Sequence, residues 1–194
     1  MFVLTYNSMF QKFTTRELVF IALMAASLFV VNLFLATGII AVTGIPLASA
    51  FLTGITIGIW VLLMIKIVPK VGSLTLLFLI YSILEIPTSL GGAPGFWPKI
   101  PINVISALIG DVFLHFTRYK NWSIFTAFYI LAAANIGTFV YFLWLFGLPN
   151  VEKTLAIAHY LVLAYWVLGT IGILIGFAIY KRIKNKRTIL QIRS

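Results

Sequence analysis

The sequence predicts an all-α integral membrane protein: six transmembrane helices in one bundle, with both termini cytoplasmic. Composition is the first reason. The chain is 62% hydrophobic and 9% charged, with a mean hydropathy of +1.10, whereas a soluble domain carries about a quarter charged residues. The second reason is where the 14 Lys and Arg residues fall. Lys12/Arg16, Lys66/Lys70, Arg118/Lys120 and the tail from Lys181 to Arg193 stand at every second junction between apolar segments, and only Lys99 and Lys153 break the alternation. Positive charge is retained inside during insertion, so this bias gives orientation as well as topology. The third reason is length: the apolar stretches between clusters each accommodate whole spans of about 20 residues.

Taken in order, the residues up to about 16 read as a cytoplasmic lead-in. No charge occurs from Leu18 to Ile65, which is too long for one helix, and Gly38, Gly44 and Pro46 punctuate it. Span one is predicted over about 18–36 and span two over about 47–65. Span one outruns a signal-peptide core and no convincing cleavage site follows, so it is expected to be retained. Lys66-Ile-Val-Pro-Lys70 is an inner turn, and span three runs over about 71–86, before Pro87. A Gly/Pro-rich outer loop leads to span four, about 100–117, with Pro101 in its first turn, where a missing N–H costs little. Span five is predicted over about 123–146. An outer connection follows, with an interfacial stretch to about Ala158, and span six covers about 160–180. Residues 1–194 form a single membrane domain in this reading, placed in the cell membrane as a multi-pass protein.

Only four acids are present. Glu17 and Glu152 lie at predicted membrane edges and are expected to be solvated. Glu85 and Asp111 fall inside spans, where a carboxylate is costly unless it faces the bundle interior, water or a partner. Glu85 stands one turn from the outer end of span three, and capping by the backbone of span four or pairing with Lys99 are its structural alternatives. Asn103, Ala107, Asp111 and His115 recur every four residues and share one face of span four. The upper member, Asn103, is placed for ligand contact. Asp111 and His115 are expected to bond each other or an inner-turn cation. Asn32 and Asn135 call for a neighbouring helix or a ligand. Tyr81, Trp97, Trp144, Tyr165 and Trp166 belong to an aromatic group in the outer half, suited to a flat ring. Ala22 and Ala26, one turn apart, form a flat patch that permits close helix approach, while Gly54/Gly58 and Gly169/Gly172/Gly176 read as internal packing.

Several functions are excluded. Without cysteine there are no disulfides, thiolate metal sites or cysteine catalysis. His115 and His159 fall on opposite membrane sides with no acid cluster, so no metal is expected. The net charge of +10 flanks apolar spans without a recognition module, which argues for topology and anionic membrane lipid and against nucleic acid. No Walker A motif is present, so this chain does not itself hydrolyse ATP. No cofactor or catalytic residue is expected.

The whole resembles the substrate-binding S component of energy-coupling-factor (ECF) vitamin transporters. The similarity rests on size, six spans, Ala22-xxx-Ala26, the outer connection after span one, and the loop between spans three and four. Tyr81-Ser-Ile-Leu-Glu85, followed by Pro87 and Gly91-Gly92, is similar to members handling thiamine or its hydroxymethylpyrimidine precursor. The chain departs from them in carrying Asn103 where many have an acid. The resemblance implies a non-enzymatic subunit that captures a small, aromatic, sometimes cationic vitamin or precursor outside. It also implies delivery inside with a transmembrane coupling subunit and two ATP-binding subunits, docked through Ala22 and Ala26. Glu85 would pair with the ligand, Trp97 and Trp144 would stack or cover it, Asn103 and Asn135 would orient its polar edges, and Tyr81 would line the site. The competing readings are a scaffold subunit without its own ligand and a lipid-modifying membrane enzyme.

Overall fold

The computed structural model describes residues 12–43, 46–90, 94–147 and 151–193, and every regular element among them is helical. The elements are α1 (Thr15–Thr43), α2 (Pro46–Ile67), α3 (Ser73–Glu85), α4 (Lys99–Phe116), α5 (Asn121–Leu145), α6 (Val151–Ile183) and α7 (Arg187–Arg193). Four of them, α1, α4, α5 and α6, hold stretches long and apolar enough to cross a bilayer, while Thr53–Ile67 of α2 and all of α3 are apolar but shorter. Large apolar side chains stand exposed along these helices, among them Leu23, Phe34, Leu155, Leu163 and Leu174. A soluble protein would bury that much surface; here it meets lipid. The protein is a multi-pass membrane protein.

Three boundaries differ from the sequence reading. Gly38 does not end span one, since α1 continues to Thr43. A lone glycine costs a helix only about 1 kcal/mol, and the apolar run overrides it. Second, α3 has 13 residues, or about 20 Å, well short of the roughly 30 Å of hydrocarbon. Third, the expected interfacial stretch before Ala158 is continuous with α6, which has 33 residues. Glu152 belongs to its first turn rather than to a loop, where a carboxylate favours the positive end of the helix dipole. Gly44, Gly91 and Gly92, where connections were also expected, lie outside the described residues.

The six long elements close into a ring: α1 packs on α2, α2 on α6, α6 on α5, α5 on α4, α4 on α3, and α3 back on α1. The α2–α6 contact is the most extensive and is made by glycines. A Cβ on Gly58 would collide with the Gly169 carbonyl, one on Gly172 with the Ile55 carbonyl oxygen, and one on Gly169 with the Phe128 ring. The small residues therefore serve internal packing, as their spacing suggested.

All the described basic clusters gather at one end. Lys70 Nζ bonds Glu17 at 2.7 Å and the Lys12 carbonyl at 3.1 Å, Lys66 bonds Asn121, and Arg16 reaches the Gln191 carbonyl on α7. Ile189 and Ile192 of α7 pack back against the core. Glu17 is not solvated, as the sequence reading expected, but buried and paired with Lys70. It also accepts from the Thr14 N–H at 2.7 Å while the Glu17 N–H donates to the Thr14 hydroxyl. This is a capping box, which satisfies the orphan donors at the start of α1. At the end of α4, Arg118 and Tyr119 take left-handed backbone, φ 54 and 53. There the Tyr119 N–H closes on the Leu114 carbonyl in a Schellman-type stop.

Candidate functional site

The end of α3 opposite the basic cluster carries Tyr81, Ser82 and Glu85, all buried. Tyr81 and Glu85 are four residues apart and so share a face. Around them a chain of polar side chains runs across the bundle. Thr56 of α2 donates to Asn32 Oδ1 of α1. Asn32 Nδ2 donates to the Tyr81 hydroxyl at 2.9 Å, and that hydroxyl lies beside the Glu85 carboxylate. Asn103 Nδ2 of α4 donates to Glu85 Oε2 at 3.2 Å and to Ser82 Oγ at 3.0 Å. Asn135 Nδ2 of α5 completes the chain on Asn103 Oδ1 at 2.8 Å. Five helices contribute, and Tyr165 of α6 lies close enough to feel the Glu85 charge. Each amide has few alternatives in an apolar bundle, so helix–helix bonding follows from composition.

The α4 stripe supplies this geometry. Lys99, Asn103, Ala107 and Asp111 recur every four residues and face α3. Lys99 is 2% exposed, yet its ammonium does not bond the Glu85 carboxylate, one of the alternatives considered for that residue. It donates instead to the backbone carbonyls of Glu85 at 3.1 Å and Thr88 at 2.7 Å, the negative end of α3. Asp111 lies at the other end of α3. Its carboxylate accepts the N–H groups of Gly72, Leu74 and Thr75 and the Thr75 hydroxyl. Asp111 was expected to bond His115 or an inner-turn cation; the inner turn does supply its partners, but they are backbone N–H groups. Gly72, at φ 93 just before α3, adopts a left-handed conformation that glycine takes without strain.

The structure thus brings together Tyr81, Glu85, Asn103, Asn135 and Asn32 of the residues singled out by sequence, with Lys99 beside them, and adds Thr56 and Ser82. It does not bring in the two tryptophans. Trp97 is 57% exposed and sits edge-on to Phe142 and Phe146 at about 6 Å. Trp144 is 67% exposed beside Tyr141. Nine residues separate Trp144 from Asn135, two and a half turns, so the two occupy opposite faces of α5. Phe142, two turns from Asn135, is the aromatic that shares its face and is buried. Ala22 and Ala26 lie exposed on α1, with Ala25 between them buried.

Among the described residues no three His, Asp or Glu side chains gather as a metal-binding group. The arrangement is one carboxylate, one lysine, three side-chain amides and several hydroxyls enclosed in an apolar ring. Groups of this kind can donate hydrogen bonds to, and accept them from, a polar edge. Fold and site define a multi-pass, all-helical membrane protein with a buried polar centre. The chain belongs to Trep_Strep, a family described as hypothetical bacterial integral membrane proteins, whose pattern matches residues 15–156. No curated protein and no solved structure matches it.

Proposed function

We propose that this protein is a solute-binding membrane subunit, the S component of an ECF-type importer. In this reading it captures a small vitamin or vitamin precursor, thiamine- or hydroxymethylpyrimidine-like, on the side away from its basic end. Both termini lie in the cytoplasm. A transmembrane coupling subunit, driven by two ATP-binding subunits, docks on α1 through Ala22 and Ala26. The chain itself is not an enzyme.

One observation carries the proposal: the Glu85-centred polar chain at the end of the bundle remote from the lysines and arginines. A carboxylate and a lysine inside a membrane bundle are costly. Simple helix–helix adhesion is met by the glycines of α2 and α6 and by a single amide pair, without either charge. The residues that bond Glu85 are themselves flexible donors, so a ligand edge can take the place of Asn103 on Oε2 while Asn103 turns to the ligand. Lys99 lies at the edge of this site and holds the start of the connection after α3 by the Thr88 carbonyl.

The test is titration of the purified chain with thiamine, hydroxymethylpyrimidine, riboflavin and biotin, followed by tryptophan fluorescence. Saturable binding tighter than about micromolar, roughly −8 kcal/mol, is expected for one of them. Glu85→Gln should weaken it at least about tenfold, the scale of one charged hydrogen bond, while the protein still folds. No saturable binding, together with no small molecule copurifying by mass spectrometry, would refute the proposal.

A further inference from the structure

The arrangement of Lys99 around Glu85 bears on the charge of the ligand. Lys99 and Glu85 are charge neighbours, and both are buried. The ammonium is directed at the Glu85 and Thr88 carbonyls, so its charge balances Glu85 while the carboxylate oxygens are left to neutral donors, Asn103 among them. The positive end of α4 and the negative end of α3 meet at the same place and offset each other. Asn32, Asn103, Asn135, Thr56, Ser82 and the two tyrosines add no charge. Because it builds on the solute-binding reading above, the consequence concerns that same site. We infer that the Glu85 site selects an electrically neutral ligand with adjacent hydrogen-bond donors, such as an uncharged amino-heterocycle, and discriminates against cations.

The physical reason is that a cation entering a balanced pair leaves a net buried charge, whereas a neutral ligand leaves none. Glu85 alone would favour a cation; Lys99 removes that preference. A carboxylate accepts from two neighbouring N–H or O–H groups at once, and Asn103 and Asn135 can each give and receive a bond. A neutral edge that both donates and accepts satisfies all three.

The four-compound panel already separates these cases, because thiamine is a cation, biotin an anion, and hydroxymethylpyrimidine and riboflavin are neutral. Adding the neutral triazole isostere of thiamine holds shape constant while changing charge. The expected result is that the member bound, or the molecule that copurifies, is neutral. The isostere should bind at least about tenfold tighter than thiamine, a modest reading of the cost of an uncompensated buried charge. Lys99→Met should narrow or reverse that ratio. Should Lys99→Met fail to fold, Glu85→Gln gives the second measurement, since it leaves Lys99 unbalanced and should weaken thiamine more than the isostere. Thiamine binding as tightly as its isostere would overturn this inference and leave the solute-binding reading standing. No binding by any compound, with nothing copurifying, would remove both.

Discussion

Asp111→Ala removes the acceptor that holds the start of α3. In the folded protein one fully buried carboxylate takes the N–H groups of Gly72 at 3.1 Å, Leu74 at 3.3 Å and Thr75 at 2.9 Å, and the Thr75 hydroxyl at 2.7 Å. The four bonds share one group and do not add as four separate ones. The decisive quantity is how many buried donors stay unsatisfied once it is gone. The Thr75 hydroxyl can rotate, and the Gly72 N–H lies nearest the turn, which leaves the Leu74 and Thr75 amides. At about 1–3 kcal/mol for each unsatisfied donor, the loss is about 2–6 kcal/mol. For a chain of this size each kcal/mol moves Tm by about 2–4 °C, so a fall of roughly 4–24 °C is expected. Asp111→Asn, which keeps one acceptor but turns an amide donor toward the others, should fall between. The assay is thermal unfolding in detergent, with amide hydrogen exchange at Leu74 and Thr75 as a local readout. A Tm within about 2 °C of the parent protein, with protection of those amides unchanged, would refute the reasoning.

Other consequences are equally open to measurement. Gly172→Ala places a methyl group on the Ile55 carbonyl, and overpacking of this kind costs about 1–3 kcal/mol or more; reduced Tm and yield are expected, and an unchanged Tm would mean that α2 and α6 can separate freely. Ala22→Trp and Ala26→Trp alter exposed positions of α1 and should leave ligand affinity within about twofold, given that surface changes usually fall within 0.5 kcal/mol. Uptake by whole cells should nevertheless be lost, and uptake that persists would place the docking face elsewhere.

Much of the architecture was legible because the sequence states it twice, in apolar length and in charge. The inner ends of α2, α4 and α5 follow from the Lys and Arg clusters, the outer ends of α2 and α4 from Pro46 and Pro101, and the α4 stripe from a four-residue repeat. What remained illegible was the way the helices face one another. Most are apolar on all sides, so their sequences carry little signal of which face meets a neighbour; Asn32 could be seen to need a partner, but not that it would be Tyr81 and Thr56. Trp144 was placed by depth alone, whereas angular position on α5 sends it outward. Glu17 was taken as solvated because it sits at an edge, yet Thr14-x-x-Glu17 ahead of an apolar run is a local capping signal that was available. Lys99 was weighed as a carboxylate partner because opposite charges suggest pairing, but the carbonyl end of a buried helix competes for the same ammonium.

The grip of α4 on α3 also bears on how the protein reaches the membrane. Lys99 and Asp111 are about 18 Å apart along α4, close to the length of α3, and they satisfy its two ends with charges of opposite sign. A nascent chain that has emerged only as far as Glu85 holds a helix too short for the hydrocarbon, with bare amides at one end and bare carbonyls at the other. Such a segment has no reason to partition from the translocation channel into lipid by itself. It gains its terminal partners only when residues 99–111 have been synthesised, so the expected outcome is that α3 and α4 enter the bilayer together as a helical hairpin. Arrest of synthesis between these points should leave α3 waiting in the channel.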